Sequence, residues 1–130
     1  MGRFLKEQHV HPDRLVASPA TRAMTTATLI ASELGYPPEG IDPEPGLYGA
    51  GVRDTLEIVQ AFPDEWASAM IFGHNPTTTS FVNWLSNAAI DNVPTCGVAH
   101  IRLDDETWTR LGDAAVELVG YYVPKNLPND

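Results

Sequence analysis

Two short stretches of this 130-residue sequence place side chains of useful chemistry at corners of the same kind. One reads Leu15-Val16-Ala17-Ser18-Pro19-Ala20-Thr21-Arg22, the other Ile71-Phe72-Gly73-His74-Asn75-Pro76-Thr77-Thr78. Each leaves an apolar run, passes a residue type that caps helices (Ser18 or Asn75), and meets a proline, which suits the first helical position. Two strands are therefore expected to feed two helices by one device. In an open α/β sheet such corners lie at the carboxyl edge, where ligands bind. Each helix start presents unpaired N–H groups and about half a positive charge, so two of them side by side would form an anion pocket.

Arg22 falls in the first turn of its helix, where a cation opposes the helix dipole at a cost of about 0.3–1 kcal/mol. A bound phosphate reverses that sign, because a guanidinium grips two phosphate oxygens at once. The plainer alternative is a surface arginine paired with Glu33 or a loop carboxylate. His74 stands at the second corner and could donate a hydrogen bond to charge developing on a phosphoryl group. Its plainer alternative is a histidine that satisfies a turn. The candidate phosphate-binding set is Arg22, His74, Ser18 and Asn75, with Arg22 and His74 in the catalytic roles.

The elements that must position these residues alternate. Residues 2–9 read as a short helix, and 14–17 as a buried strand. Residues 19–34 form the strongest helical pattern, with Leu29, Ile30 and Leu34 at helical spacing and Gly35 as its stop. Residues 36–52 are rich in proline and glycine and read as an irregular loop. A helix is expected over 52–62 with Leu56, Val59 and Phe62 on one side, and a strand over 67–72. A further helix covers 76–85, with Phe81, Val82 and Leu85 inward. Strands follow at 98–103 and 116–123, with one helical turn between them at 106–111. Strands alternating with helices imply one α/β domain over 1–130 with parallel pairings.

Composition narrows the partners. Eight Lys and Arg oppose 17 Asp and Glu, for a net charge of −9, which argues against binding a nucleic-acid backbone. No run is long enough to span a membrane, and the N-terminus lacks the pattern of a signal peptide. The lone Cys96 cannot form an internal disulfide, which fits the cytoplasm. It lies in a turn beside Gly97. His9 and His11 stand two apart, but no third metal ligand lies close in sequence, so no metal is expected. His100 reads as a strand histidine, and Trp66, Trp84 and Trp108 as packing residues. Thr95 precedes a strand that would start at the same sheet edge.

The residues also carry a resemblance. SPATRAMTTATLIASELG resembles the signature of the histidine phosphatase superfamily in which a serine-proline corner leads to a phosphate-binding arginine. GHNP is similar to its second-histidine motif, and GLYGA resembles the loop after the second strand. PTCGVAHIRLDDETW and YYVPKNL resemble the closing strands of the small SixA-type phosphohistidine phosphatases. The resemblance spans nearly the whole chain. It implies a phosphoglycerate mutase-like fold, a three-layer, mostly parallel sheet with helices on both faces. It also implies that Arg22 binds the phosphoryl group and that His74 is the second pocket histidine. The reaction implied is two-step and needs no metal or cofactor: a histidine attacks phosphorus, and water then releases phosphate from the phosphohistidine intermediate.

The same resemblance marks what these 130 residues do not contain. The family opens with a strand ending in Arg-His-Gly, whose histidine is the nucleophile, and no such motif stands here. His9 and His11 occupy the wrong element. The expectation is a natural protein longer at its N-terminus, with the fold's first strand missing from this chain and the chain alone inactive. The alternative is a non-catalytic phosphate-binding or interaction remnant. Loss of a central strand would leave two strand edges and a strip of core uncovered, which also permits self-association. GLYGA offers no general acid; Glu44 is out of register and Asp54 lies beyond. A phosphoramidate needs less acid help than a sugar phosphate, so the implied substrate is phosphohistidine on a protein, or a reactive small phosphoester.

Overall fold

The computed structural model describes residues 1–127, which fall into two compact units. The first comprises Met1–Gly49 and Glu65–His74. Its helices are α1 (Gly2–Glu7) and α2 (Thr21–Leu34), and its strands are β1 (Arg14–Ala17), β2 (Asp42–Pro43) and β3 (Ala69–Phe72). The three strands form a parallel sheet in the order β2-β1-β3. The register of β1 against β3 runs Arg14 to Ala69, Leu15 to Met70, Val16 to Ile71 and Ala17 to Phe72. At the entry to both strands, the Asp13 carboxylate accepts from Ala67 N–H at 2.6 Å while Asp13 N–H donates to Ser68. Those bonds tie the strand starts together and hold the register.

Leu15, Val16 and Ala17 are all buried, as a strand with neighbours on both sides requires. The core gathers Leu15, Ala17, Ala27, Ala31 and Ile41, with Met24, Tyr36, Met70 and Phe72 packed on it. Alanines at 23, 27 and 31 face inward, so the helix backbone can approach closely. Gly2 plays the same part on α1: a Cβ there would stand 2.6 Å from Glu33 Cβ. Gly35 ends α2 in the left-handed conformation (φ 77°), and Tyr36 N–H closes back onto Ala31 O at 2.9 Å.

The second unit comprises Ala50–Asp64 and the chain from Asn75 onward. It holds α3 (Val52–Gln60), α4 (Thr77–Ser86) and the strands β4 (Val98–Leu103) and β5 (Val116–Tyr122). Gly51 N–H donates to Asp54 Oδ2 at 3.1 Å, which secures the start of α3. α4 buries Thr79, Phe81 and Val82. Phe62 meets Trp108 edge to face at 5.5 Å, just before the 3-10 turn Trp108–Arg110 closes.

The structure is an α/β fold with a parallel sheet and helices, and several boundaries differ from expectation. α2 starts at Thr21 because Ala20 is still extended, and α4 starts at Thr77 with Pro76 as its N-cap. α3 stops at Gln60, so Phe62 lies beyond it. The loop 36–52 contains β2, only two residues long and built around Pro43. β4 and β5 pair antiparallel as a separate two-stranded sheet. Leu29, which fits the helical spacing, is 62 % exposed, and Trp84, expected to pack, is 53 % exposed. β1 is hydrogen-bonded on both sides, whereas among the described residues β3 pairs only with β1 and β4 only with β5, which leaves each of them an edge strand of its sheet. Among the described residues no helix is long and apolar enough to cross a membrane.

Candidate phosphate site

The candidate site grows from the paired ends of β1 and β3. The ladder runs one step past the strands, with Ser18 N–H donating to Phe72 O at 2.9 Å. That step sets Ser18 at the carboxyl edge, where β3 delivers Gly73 and His74. Ser18 is fully buried, and its Oγ lies 2.7 Å from His74 Nε2. The same oxygen accepts Ala20 N–H at 3.3 Å, at the threshold of α2. A hydroxyl has one proton and two lone pairs, so it serves the ring in either state. It donates to Nε2 when that nitrogen is bare and accepts when the nitrogen carries a proton.

Arg22 is the second residue of α2, one turn beyond Ser18, and its side chain is exposed. Among the described residues neither Glu33 nor a loop carboxylate pairs with it. α2 has no side-chain cap, and its first residues carry no acidic group. The start of a 14-residue helix is thus left with its own amide charge and a guanidinium beside it. A cation that opposes the dipole without a carboxylate partner is what an anion site would need.

Tyr48 is a further neighbour of His74. The two rings meet edge to face, 5.8 Å between centroids at 88°. Tyr48 leaves the 3-10 turn Pro45–Leu47, whose start is held by Glu44 Oε2 accepting from Gly46 N–H at 3.0 Å. Leu47 is buried.

Asn75 belongs to the second unit, and its amide is engaged there on both sides. Its Oδ1 accepts from Thr79 N–H at 3.1 Å and from Thr79 Oγ1 at 2.8 Å. Its Nδ2 donates to Val93 O at 2.6 Å and to Asn92 Oδ1 at 3.4 Å. Asn75 thus stands one residue before the N-cap Pro76, where the sequence placed the cap itself, and serves the first turn of α4 through Thr79. Thr95 lines an open cleft of about 660 Å³ in the second unit, with Asn92, Tyr121 and Lys125. Cys96 occupies the turn before Gly97, as expected, with a left-handed φ of 61°. His9, His11 and His100 are exposed, and among the described residues no cluster of His, Cys, Asp or Glu could hold a metal ion.

Two contacts escaped the sequence. Ser18 reads as a cap, yet its hydroxyl also holds His74, 56 positions away. Tyr48 sits inside GLYGA with nothing local to mark it as a neighbour of His74.

No family model matches the chain. A structure of the protein histidine phosphatase SixA complexed with tungstate superposes with a TM-score of 0.79 over 98 % of this chain and 78 % of its own, at 24 % identity. The fold is that of SixA. The SixA chains of Nakamurella multipartitia and Agrobacterium tumefaciens each give a TM-score of 0.72 at 22 % identity, over 95 % of this chain and 77 % and 75 % of theirs. In sequence, the uncharacterized protein Rv1276c of Mycobacterium tuberculosis H37Rv is 27 % identical over 134 residues, 95 % of this chain and 81 % of the relative. The uncharacterized protein MT1313 of strain CDC 1551 matches to the same extent. The SixA phosphohistidine phosphatases are thus what this chain resembles in architecture from near its first residue to near its last.

Proposed function

We propose that this chain binds the phosphoryl group of a phosphohistidine phosphatase substrate at the carboxyl edge of its parallel sheet. The observation that carries the reading is the 2.7 Å contact between Ser18 Oγ and His74 Nε2. It joins the serine-proline corner, and with it Arg22 and the start of α2, to the histidine corner on one edge. Arg22 grips two phosphoryl oxygens, His74 hydrogen-bonds a third, and the α2 amides add their partial charge. The tungstate of the SixA structure supports the reading, since tungstate is a tetrahedral oxyanion like phosphate. The substrate is a phosphorylated protein histidine or a reactive small phosphoester, handled in the cytoplasm without a metal.

The attacking histidine of the complete reaction is assigned to the Arg-His-Gly segment of the resemblance, which these residues do not contain. A second reading is that the 130-residue chain holds phosphate without turning it over. Both readings require the same pocket, so binding is the decisive measurement. Titration calorimetry with tungstate should show one site on the wild-type chain. Arg22→Ala and His74→Ala should each weaken it about tenfold or more, the worth of a charge-assisted hydrogen bond. Unchanged affinity in Arg22→Ala would leave an acidic α/β domain with no phosphate site there. Phosphohistidine turnover by the wild-type chain then separates the catalytic reading from the binding one.

A further inference from the structure

We propose that Tyr48 is a leaving-group subsite: its ring sits beside His74 to receive the flat aromatic ring of the phosphoryl donor. This rests on the phosphate reading above and adds to it a reason for choosing phosphohistidine over an aliphatic phosphoester.

Tyr48 is 69 % exposed although it touches His74 edge to face. A tyrosine in the fold for its packing would bury its ring. This one keeps most of its surface open while its ring stands against His74. Its direction is set by its neighbours. Leu47 is buried before it, the Glu44 carboxylate ties the turn at Gly46, and Gly49 turns away in a left-handed conformation (φ 74°). Where the oxyanion is held between Arg22, His74 and the start of α2, the group attached to phosphorus projects outward from that pocket. In phosphohistidine that group is an imidazole. Two aromatic rings prefer offset or edge-to-face contact, and the faces of Tyr48 not taken by His74 remain available for it. A methyl or alkyl group gains little there.

The intact chain can be titrated with two phosphonates that share one anionic head, methylphosphonate and pyrazolylphosphonate. The wild type should prefer the pyrazole compound by about 3- to 10-fold, the range of one aromatic pair. Tyr48→Ala should erase the preference while leaving methylphosphonate within about twofold of wild type, and Tyr48→Phe should keep it. A wild type that binds both compounds equally overturns the subsite. So does a Tyr48→Ala chain that keeps the preference, or one that loses both compounds in equal measure, which would make Tyr48 only a support for His74. If neither phosphonate nor tungstate binds the wild type, the phosphate reading falls, and the subsite falls with it. Binding of methylphosphonate thus tells the two failures apart.

Discussion

The two strand-to-helix corners begin from one sequence device and finish in different work. At the first, the buried Ser18 hydroxyl meets His74 and Ala20 N–H, and no side chain caps α2. At the second, the Asn75 amide accepts from Thr79 and braces Val93 and Asn92. One corner keeps its helix start open and spends its polar residue on a histidine. The other closes its helix start and spends its polar residue on the scaffold. A residue type that caps helices followed by proline therefore precedes a helix start at both places, and the two polar side chains are put to different use. The difference is whether the side chain's hydrogen bonds go to its own helix or to another part of the chain.

The strands behind the corners differ in the same direction. β1 is buried along Leu15–Ala17, whereas every residue of β3 is half-buried. Leu15 and Met70 are partners in register, which makes them a direct test. Leu15→Ala should cost about 2–5 kcal/mol in urea unfolding, and Met70→Ala about half of that, because less of its side chain leaves water on folding. Equal losses would mean that both strands bear the core alike.

The corner residues come next in size. Asn75→Ala should cost about 1–3 kcal/mol, since it removes the acceptor for Thr79 in the first turn of α4 and the Asn75 donor to Val93 O. Tungstate affinity should change little. Ser18→Ala should cost about 1–2 kcal/mol and also weaken tungstate by about 3- to 10-fold, because His74 loses its hydrogen bond to the Ser18 hydroxyl. The comparison breaks if the pattern is reversed, with Asn75→Ala weakening the anion more than Ser18→Ala.

How much of this was legible follows from the range of the interactions. Residues 14–17 and 98–103 are strands where the apolar runs end at turn residues, and such local signals need no partner to be read. β2 was invisible: Asp42 and Pro43 have no strand pattern, and they are extended because Val16 and Ala17 pair with them. Leu29 fits a helical period yet faces water, since alanines 23, 27 and 31 define the inward stripe. The site divides in the same way. Arg22 and His74 were marked by their corners. The Ser18–His74 bond depends on the pairing of β1 with β3, and the Tyr48–His74 contact on the path of a glycine-rich loop. Nothing local encodes either.

A third polar turn extends the comparison to pH, with the smallest expected effect. In the second unit, Asp105 caps the turn before Trp108 by accepting from Thr107 N–H at 2.9 Å and Thr107 Oγ1 at 3.0 Å. These bonds, the backbone one foremost, hold its carboxyl below the ordinary aspartate value of 3.8, with a smaller contribution from Arg110. Both bonds favour the ionised form, so the carboxylate is stabilised by folding. A depressed folded value means that this stabilisation is fully present above the ordinary value, and it fades as pH falls through the lower folded one. Asp105→Ala should therefore lower Tm slightly at pH 7, and its gap to the wild type should narrow once the pH passes below the ordinary aspartate value. A gap that stays constant from neutral to strongly acid conditions would show that Thr107 does not discriminate between the two forms of the carboxyl. Asp105 would then resemble Asn75, a cap indifferent to charge, rather than a cap that depends on it.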